Sequence, residues 1–162
     1  MPEQLRAVHS SMPLSVAAHI VDEAIAVRTR EGLLRLAVAV LDAGGNLVAF
    51  KREDGCGVLR FDVAFGKAWA ALGMGMPTRL ISDRMASRPA FQCALAAASD
   101  GRFIPVPGGV LILVATGCAI GAIGISGDAS DKDEYCAIAA VKAAGLKPDP
   151  AEPNPEWRSA GL

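Results

Sequence analysis

The chain is poor in aromatic residues, which fill 5% of its 162 positions, and it holds two histidines and four cysteines. Its apolar fraction of 52% is therefore mostly Ala, Val, Leu and Ile, side chains that let helices and strands approach closely. Cys56, Cys93, Cys118 and Cys136 stand 37, 25 and 18 positions apart. That spacing contains neither a C-x-x-C dithiol nor a zinc-ligand pattern, so no metal site is expected and the four read as reduced thiols. Sixteen Lys and Arg against 17 Asp and Glu give a net charge of -1, with no basic run to follow a phosphate backbone. Nucleic acid is not an expected partner. The first residues lack a basic region leading into an apolar one, and they lack a small-residue cleavage site, which reads as a cytoplasmic protein. The longest uncharged apolar run, Val110 to Ile125, is 16 residues long and contains three glycines. A spanning helix needs about 20 apolar residues, so no membrane segment is expected.

What is present alternates between two periods. A chain of this length fits one domain, read here as residues 1–147 with a proline-punctuated tail at 148–162. From Ser15 as N-cap, Val16, Ile20, Ala24 and Val27 form a helical stripe that ends at Gly32. "LLRLAVAVLDAGGNLVAFKRED" reads as two strands turning at Asp42 to Asn46, with Leu34, Leu36, Val38 and Val40 alternating along the first. "LRFDVAFGKAWAALGMGMPT" reads as a helix with Phe61, Phe65, Ala68 and Leu72 on its stripe. Two shorter helices follow, one capped by Thr78 and one opened by Pro89. "VLILV" and "AIGAIGIS" form a hairpin turning at Thr116-Gly117, and Ser130 with Asp133 supplies an S-x-x-D start to a last helix ending before Gly145 and Pro148. Helix, hairpin, helices, hairpin, helix is an α+β order with antiparallel pairing. The glycines of "GCAIGAIGISG" do not have the dinucleotide-binding spacing.

Several residues carry candidate chemistry. Pro107, Gly108 and Gly109 form a loop whose backbone N–H groups, unobstructed by side chains, could face an anionic oxygen. Ser126 and Gly127 lead into the start of the last helix, where the helix dipole favours negative charge. Lys67, on an otherwise apolar helix, could supply a cation to a carboxylate ligand, and Asp54 sits in a charge cluster with Arg52 and Glu53. Asp133, Glu134 and Lys67 are the candidate acid/base groups. Each has a structural alternative. Pro-Gly-Gly is also an ordinary turn, Lys67 an ordinary helix residue, Asp133 and Glu134 ordinary first-turn acids, and the Arg52–Asp54 cluster a solvated strand edge. His19 borders the apolar stripe of the first helix, where histidines are commonly packing residues; it is also the candidate axial ligand for a heme. His9 lies near the N-terminus without metal spacing to it.

Five blocks in order carry a resemblance: "VLDAGGNLVAFKREDG" at 40–55, "GKAWAA" at 66–71, "MPT" at 76–78, "PGG" at 107–109 and "GAIGISGDASDKDE" at 121–134. Together they resemble the GlcG/HbpS family, the heme-degrading domain that includes the C-terminal domain of PduO-type proteins. The resemblance implies an antiparallel sheet of about five strands flanked by helices in profilin-like layers, self-association into a homo-oligomer, and in some members heme binding or slow heme breakdown. A threonine implicated at the iron in one branch, in the family pattern K-A-x-T-A, is Ala70 here. A mean hydropathy of +0.34 also points to surfaces covered by other copies. Three functions follow as expectations: a small-ligand protein that binds or degrades heme, a cofactor-free enzyme acting on a small carboxylated metabolite, and a non-catalytic ligand-binding or assembly subunit. The expected partner in each is heme or another small anionic molecule.

Overall fold

A computed structural model describes residues 5–162. Helix α1 (Leu14–Glu31) leads into strands β1 (Ala37–Asp42) and β2 (Leu47–Arg52). Helices α2 (Leu59–Met74), α3 (Thr78–Met85) and α4 (Pro89–Ala98) follow. Strands β3 (Gly109–Leu113) and β4 (Ala119–Ser126), helix α5 (Ser130–Ala143), strand β5 (Lys147–Asp149) and a single 3-10 turn (Trp157–Ser159) complete the chain. The strands form one sheet in the order β2-β1-β4-β3-β5, antiparallel at every pairing. The fold is α+β with a five-stranded antiparallel sheet, as the motif order implied.

Strand alternation sorts the sheet into two unlike faces. Leu36, Val38, Val40, Val110, Ile112, Ile123 and Ile125 point to one side and pack with Ile20, Val21, Ala24 and Val27 of α1 and with Ile138 and Val141 of α5. Burying each such Val, Leu or Ile side chain stabilises the fold by about 1.5–3 kcal/mol. The other side carries small residues, Ala37, Ala39, Ala122 and Gly124, against which α2 lays Ala64, Ala68 and Ala71. This contact is so close that a Cβ on Gly124 would overlap the Ala64 carbonyl oxygen, and one on Gly109 would overlap that of Lys67. The seat of α2 is therefore its small-residue face. Phe61, Phe65 and Leu72, expected on the buried stripe, lie at its margin and are only partly buried, because an aromatic ring would hold the helix away from the sheet.

Three expected caps are replaced. Pro13 and Pro77 occupy the N-cap positions of α1 and α3, so Ser15 and Thr78 fall inside the helices. The Thr78 hydroxyl instead bonds across to β3, accepting from the Gly109 N–H (2.8 Å) and facing its carbonyl oxygen (3.2 Å). At the start of α5 the N-cap is Ala129, and Asp133 turns inward instead of closing a box on Ser130. The stretch 148–162, read as a tail, begins inside β5, where Pro148 sits on a sheet edge that asks nothing of its missing N–H. It then returns across α5, and the Trp157 ring stacks on Tyr135 with centroids 3.7 Å apart.

Candidate functional site

The end of β4 and the start of α5 meet α2 in a buried polar cluster. The Lys67 ammonium donates to the Ile125 carbonyl (2.9 Å) and to Asp133 Oδ2 (3.0 Å). Asp133 Oδ1 accepts from the Asp128 N–H (3.0 Å). Asp128 in turn accepts from the Leu34 N–H (2.9 Å), tying α5 to the entry of β1. Burial pushes the Asp133 carboxyl up to about 6 against the pull of Lys67, and the same burial lowers the Lys67 ammonium. Glu134, one residue on, has no exposed surface. Arg79 Nη1 lies 3.1 Å from its Oε1, yet the angle is not that of a hydrogen bond, and both carboxylate oxygens lack one among the described residues. Burial pushes Glu134 up to about 7, with Arg79 opposing.

Of the residues singled out in the sequence, the fold brings Lys67, Gly108 and Asp133 together, since a Cβ on Gly108 would lie 2.9 Å from Lys67 Nζ. Gly108 and Gly109 are buried, and the Gly109 N–H is taken by Thr78 and the Gly108 carbonyl by the Ile125 N–H. Pro107 is half-buried beside them. His19 stands apart, half-exposed on α1 and 4.0 Å from Glu23.

Ser126 and Gly127 point to different ground. The Ser126 hydroxyl accepts from Arg60 Nη1 (3.3 Å), and Gly127 forms part of the wall of a cleft of about 290 Å³. Its other walls are the end of α1 with Arg28, the segment Leu33–Arg35, the loop Gly55–Gly57 and the first turn of α2 with Arg60. A wider, open hollow of about 560 Å³ adjoins it across Arg28 and Arg35 and carries Lys51, Arg52, Glu53 and Asp54. Among the described residues the cleft wall holds three guanidiniums and no carboxylate. Arg28 is committed, donating from Nε to the Leu34 carbonyl (3.1 Å) and facing Glu53 Oε2 at 3.5 Å. Arg35 and Arg60 have no carboxylate within 4.0 Å among the described residues. Cys56 lines the same wall, its thiol pushed up by burial while Arg60 and Arg52 pull it down.

Sequence reasoning passed over Arg28, Arg35 and Arg60. Arg60 carried a usable signal, since it precedes Lys67 by seven positions and so shares its side of the helix. Arg28 and Arg35 did not, because a helix end and a turn separate them and only the fold brings them together.

The haem-degrading protein HbpS-like family matches residues 12–142. The chain belongs to this family. It is 28% identical over 125 residues to an uncharacterized 15.0 kDa protein from the dhaT-dhaS intergenic region of Citrobacter freundii, covering 77% of this chain and 87% of that one. Among solved structures it is similar to a PduOC:heme complex, with a TM-score of 0.74 at 23% identity, covering 83% of this chain and 96% of that one. A double mutant of Streptomyces reticuli HbpS gives a TM-score of 0.69 at 27% identity, covering 88% of this chain and 92% of that one. Among the described residues no helix is long and apolar enough to cross a membrane.

Proposed function

We propose that this protein binds a small organic anion in the cleft between Arg28, Arg35 and Arg60, with heme, held by its propionates, as the candidate its relatives put forward. One observation carries the reading: three guanidiniums line a concave wall that, among the described residues, holds no carboxylate. Such a wall favours a carboxylate ligand through charge-assisted, often bidentate hydrogen bonds. The relatives named for heme, PduOC in its complex and the HbpS family, support a porphyrin as one such ligand.

The residues fit one edge of heme. Arg35 and Arg60 would take its propionates. His19 does not line the cleft. Bound heme would supply a redox-active iron, and what this chain contributes is charge and orientation at the acidic edge. The enzymatic alternative would require Asp133 or Glu134 to reach a ligand, and both carboxylates are enclosed, at 1% and 0% exposure. In this reading they hold α5 in place, and the protein acts as a ligand-binding subunit of a homo-oligomer.

The test is a hemin titration followed at the Soret band, beside calorimetry with small carboxylates, on the wild type and on Arg35→Met and Arg60→Met. The expected result is binding that weakens at least several-fold in each variant. Binding of hemin and carboxylates that ignores both substitutions would place the ligand elsewhere and sink the proposal.

A further inference from the structure

Resting on the reading of the arginine cleft as an anion site, we infer that its ligand is a compact dianion of about ten non-hydrogen atoms, two carboxylates on a short spacer. Two features carry this, the count of uncompensated charge and the size of the space.

Five cations border the cleft and its adjoining hollow: Arg28, Arg35, Lys51, Arg52 and Arg60. Lys51 is paired with Asp22, and Arg28 faces Glu53, whose Oε2 also accepts from the Leu36 N–H (2.7 Å). Arg52 has no carboxylate within 4.0 Å among the described residues either, but it lines the open hollow and not the smaller cleft. Arg35 and Arg60 remain, both on the wall of the smaller cleft and each without an acidic partner among the described residues. Arg35 lies over the loop glycine Gly55, where a Cβ would stand 3.1 Å from its Nη1, and Arg60 projects from the first turn of α2. The first N–H groups of α2 have no side-chain cap, its N-cap being Val58, and Asp62 in the same turn offsets part of the helix dipole. A monoanion would leave one of the two guanidiniums unmatched, whereas a ligand with two anionic groups matches both.

The space sets the size. A cleft of about 290 Å³ is at the small end of ligand pockets and has room for roughly ten water-sized groups at about 30 Å³ each. A four- or five-carbon dicarboxylate fills that volume. A porphyrin exceeds it and could place only its propionate edge inside, with the macrocycle lying over the open hollow beyond Arg35. Two anionic groups on one ligand is therefore the shared chemistry, and the size of the rest is what separates the two sources.

The experiment is calorimetric titration of the full-length protein with succinate, glutarate, butyrate and hemin, repeated on Arg35→Met, Arg60→Met, Arg60→Lys and the remote control Arg84→Met. The expected result is at least one compact dianion binding tenfold or more tighter than butyrate. That advantage should shrink to less than threefold in Arg35→Met and Arg60→Met, be partly kept in Arg60→Lys, and be unchanged in Arg84→Met. Competition with hemin assigns both to one site. Butyrate and the dianions binding alike, with both losing affinity on loss of Arg35 or Arg60, would overturn the dianion inference and leave the anion site standing. Tight hemin binding with no measurable compact dianion would overturn it in favour of the porphyrin. If nothing binds, or binding ignores both arginines, the inference and the site fall together.

Discussion

Lys67 and Asp133 form an ion pair 3.0 Å long in which the two side chains are 2% and 1% exposed, the most enclosed of the charge pairs among the described residues. The pair joins the middle of α2 to the first turn of α5 across the end of β4, and its worth lies in mutual compensation: either charge alone would be buried without a partner. Lys67→Met should destabilise the protein by about 3–5 kcal/mol. Adding Asp133→Asn, which can still accept from the Asp128 N–H, should recover a substantial part of that loss. Urea unfolding of the two single variants and the double variant checks this, and strictly additive effects would show that the charges are not coupled.

Glu134 makes stability depend on pH in an unusual direction. Its carboxyl titrates near 7 in the fold and near 4.5 when unfolded, so between those values the folded state binds the extra proton. Stability from this group is complete below about pH 4.5 and is lost as pH rises through 7, for a total of roughly 3 kcal/mol. Asp133 acts in the same sense between 3.8 and about 6. Glu134→Gln should flatten the slope between pH 5 and 7.5 in denaturant melts. An unchanged slope would show that Glu134 is charged throughout, compensated by Arg79.

The contact between α2 and the sheet can be tested with one methyl group. Gly124→Ala would drive a Cβ into the Ala64 carbonyl, and moving a helix backbone costs about 3 kcal/mol or more. Gly57→Ala, with nothing within 4 Å of the added Cβ, should change stability by less than about 0.5 kcal/mol. Equal thermal shifts for the two would contradict the close seating.

Trp157 holds the last segment down. The ring is 7% exposed, stacked on Tyr135, whose hydroxyl donates to Glu31 (3.1 Å). Arg158 binds the other Glu31 oxygen at 3.0 Å. Trp157→Ala should cost about 3 kcal/mol and speed proteolysis after residue 150 well before the sheet is attacked. Cleavage at the wild-type rate would mean that the stack contributes little to holding the segment.

Much of this molecule was readable before folding. The two hairpins announced themselves by alternation and turn chemistry, and Leu36, Val38 and Val40 do share the face they were expected to share, whereas Leu34, expected with them, lies ahead of β1 and is 49% exposed. The seat of α2 was harder to read, because apolar size suggested a stripe through Phe61 and Phe65 while the actual contact selects smallness, Ala64, Ala68 and Ala71 against Gly124. Motif reading led to Lys67, Asp133 and the Pro107–Gly109 loop because charge and glycine stand out in an apolar chain. In the fold these groups bond to one another and to Thr78, and solvent does not reach Lys67 or Asp133. The arginines of the cleft come from α1, from the entry to β1 and from α2, so their meeting depends on tertiary structure that no local pattern encodes.

The glycine-paved seat of α2 has a kinetic consequence. A helix whose backbone touches the strand beneath it cannot slide or tilt without collision, so the turn carrying Arg60 is held where it is in the absence of ligand. Little rearrangement then separates encounter from capture, and the on-rate for a charged ligand should be governed by diffusion in the field of the guanidiniums. Raising ionic strength from 10 to 150 mM, which shortens the Debye length from about 30 to about 8 Å, should slow association much more than it speeds release.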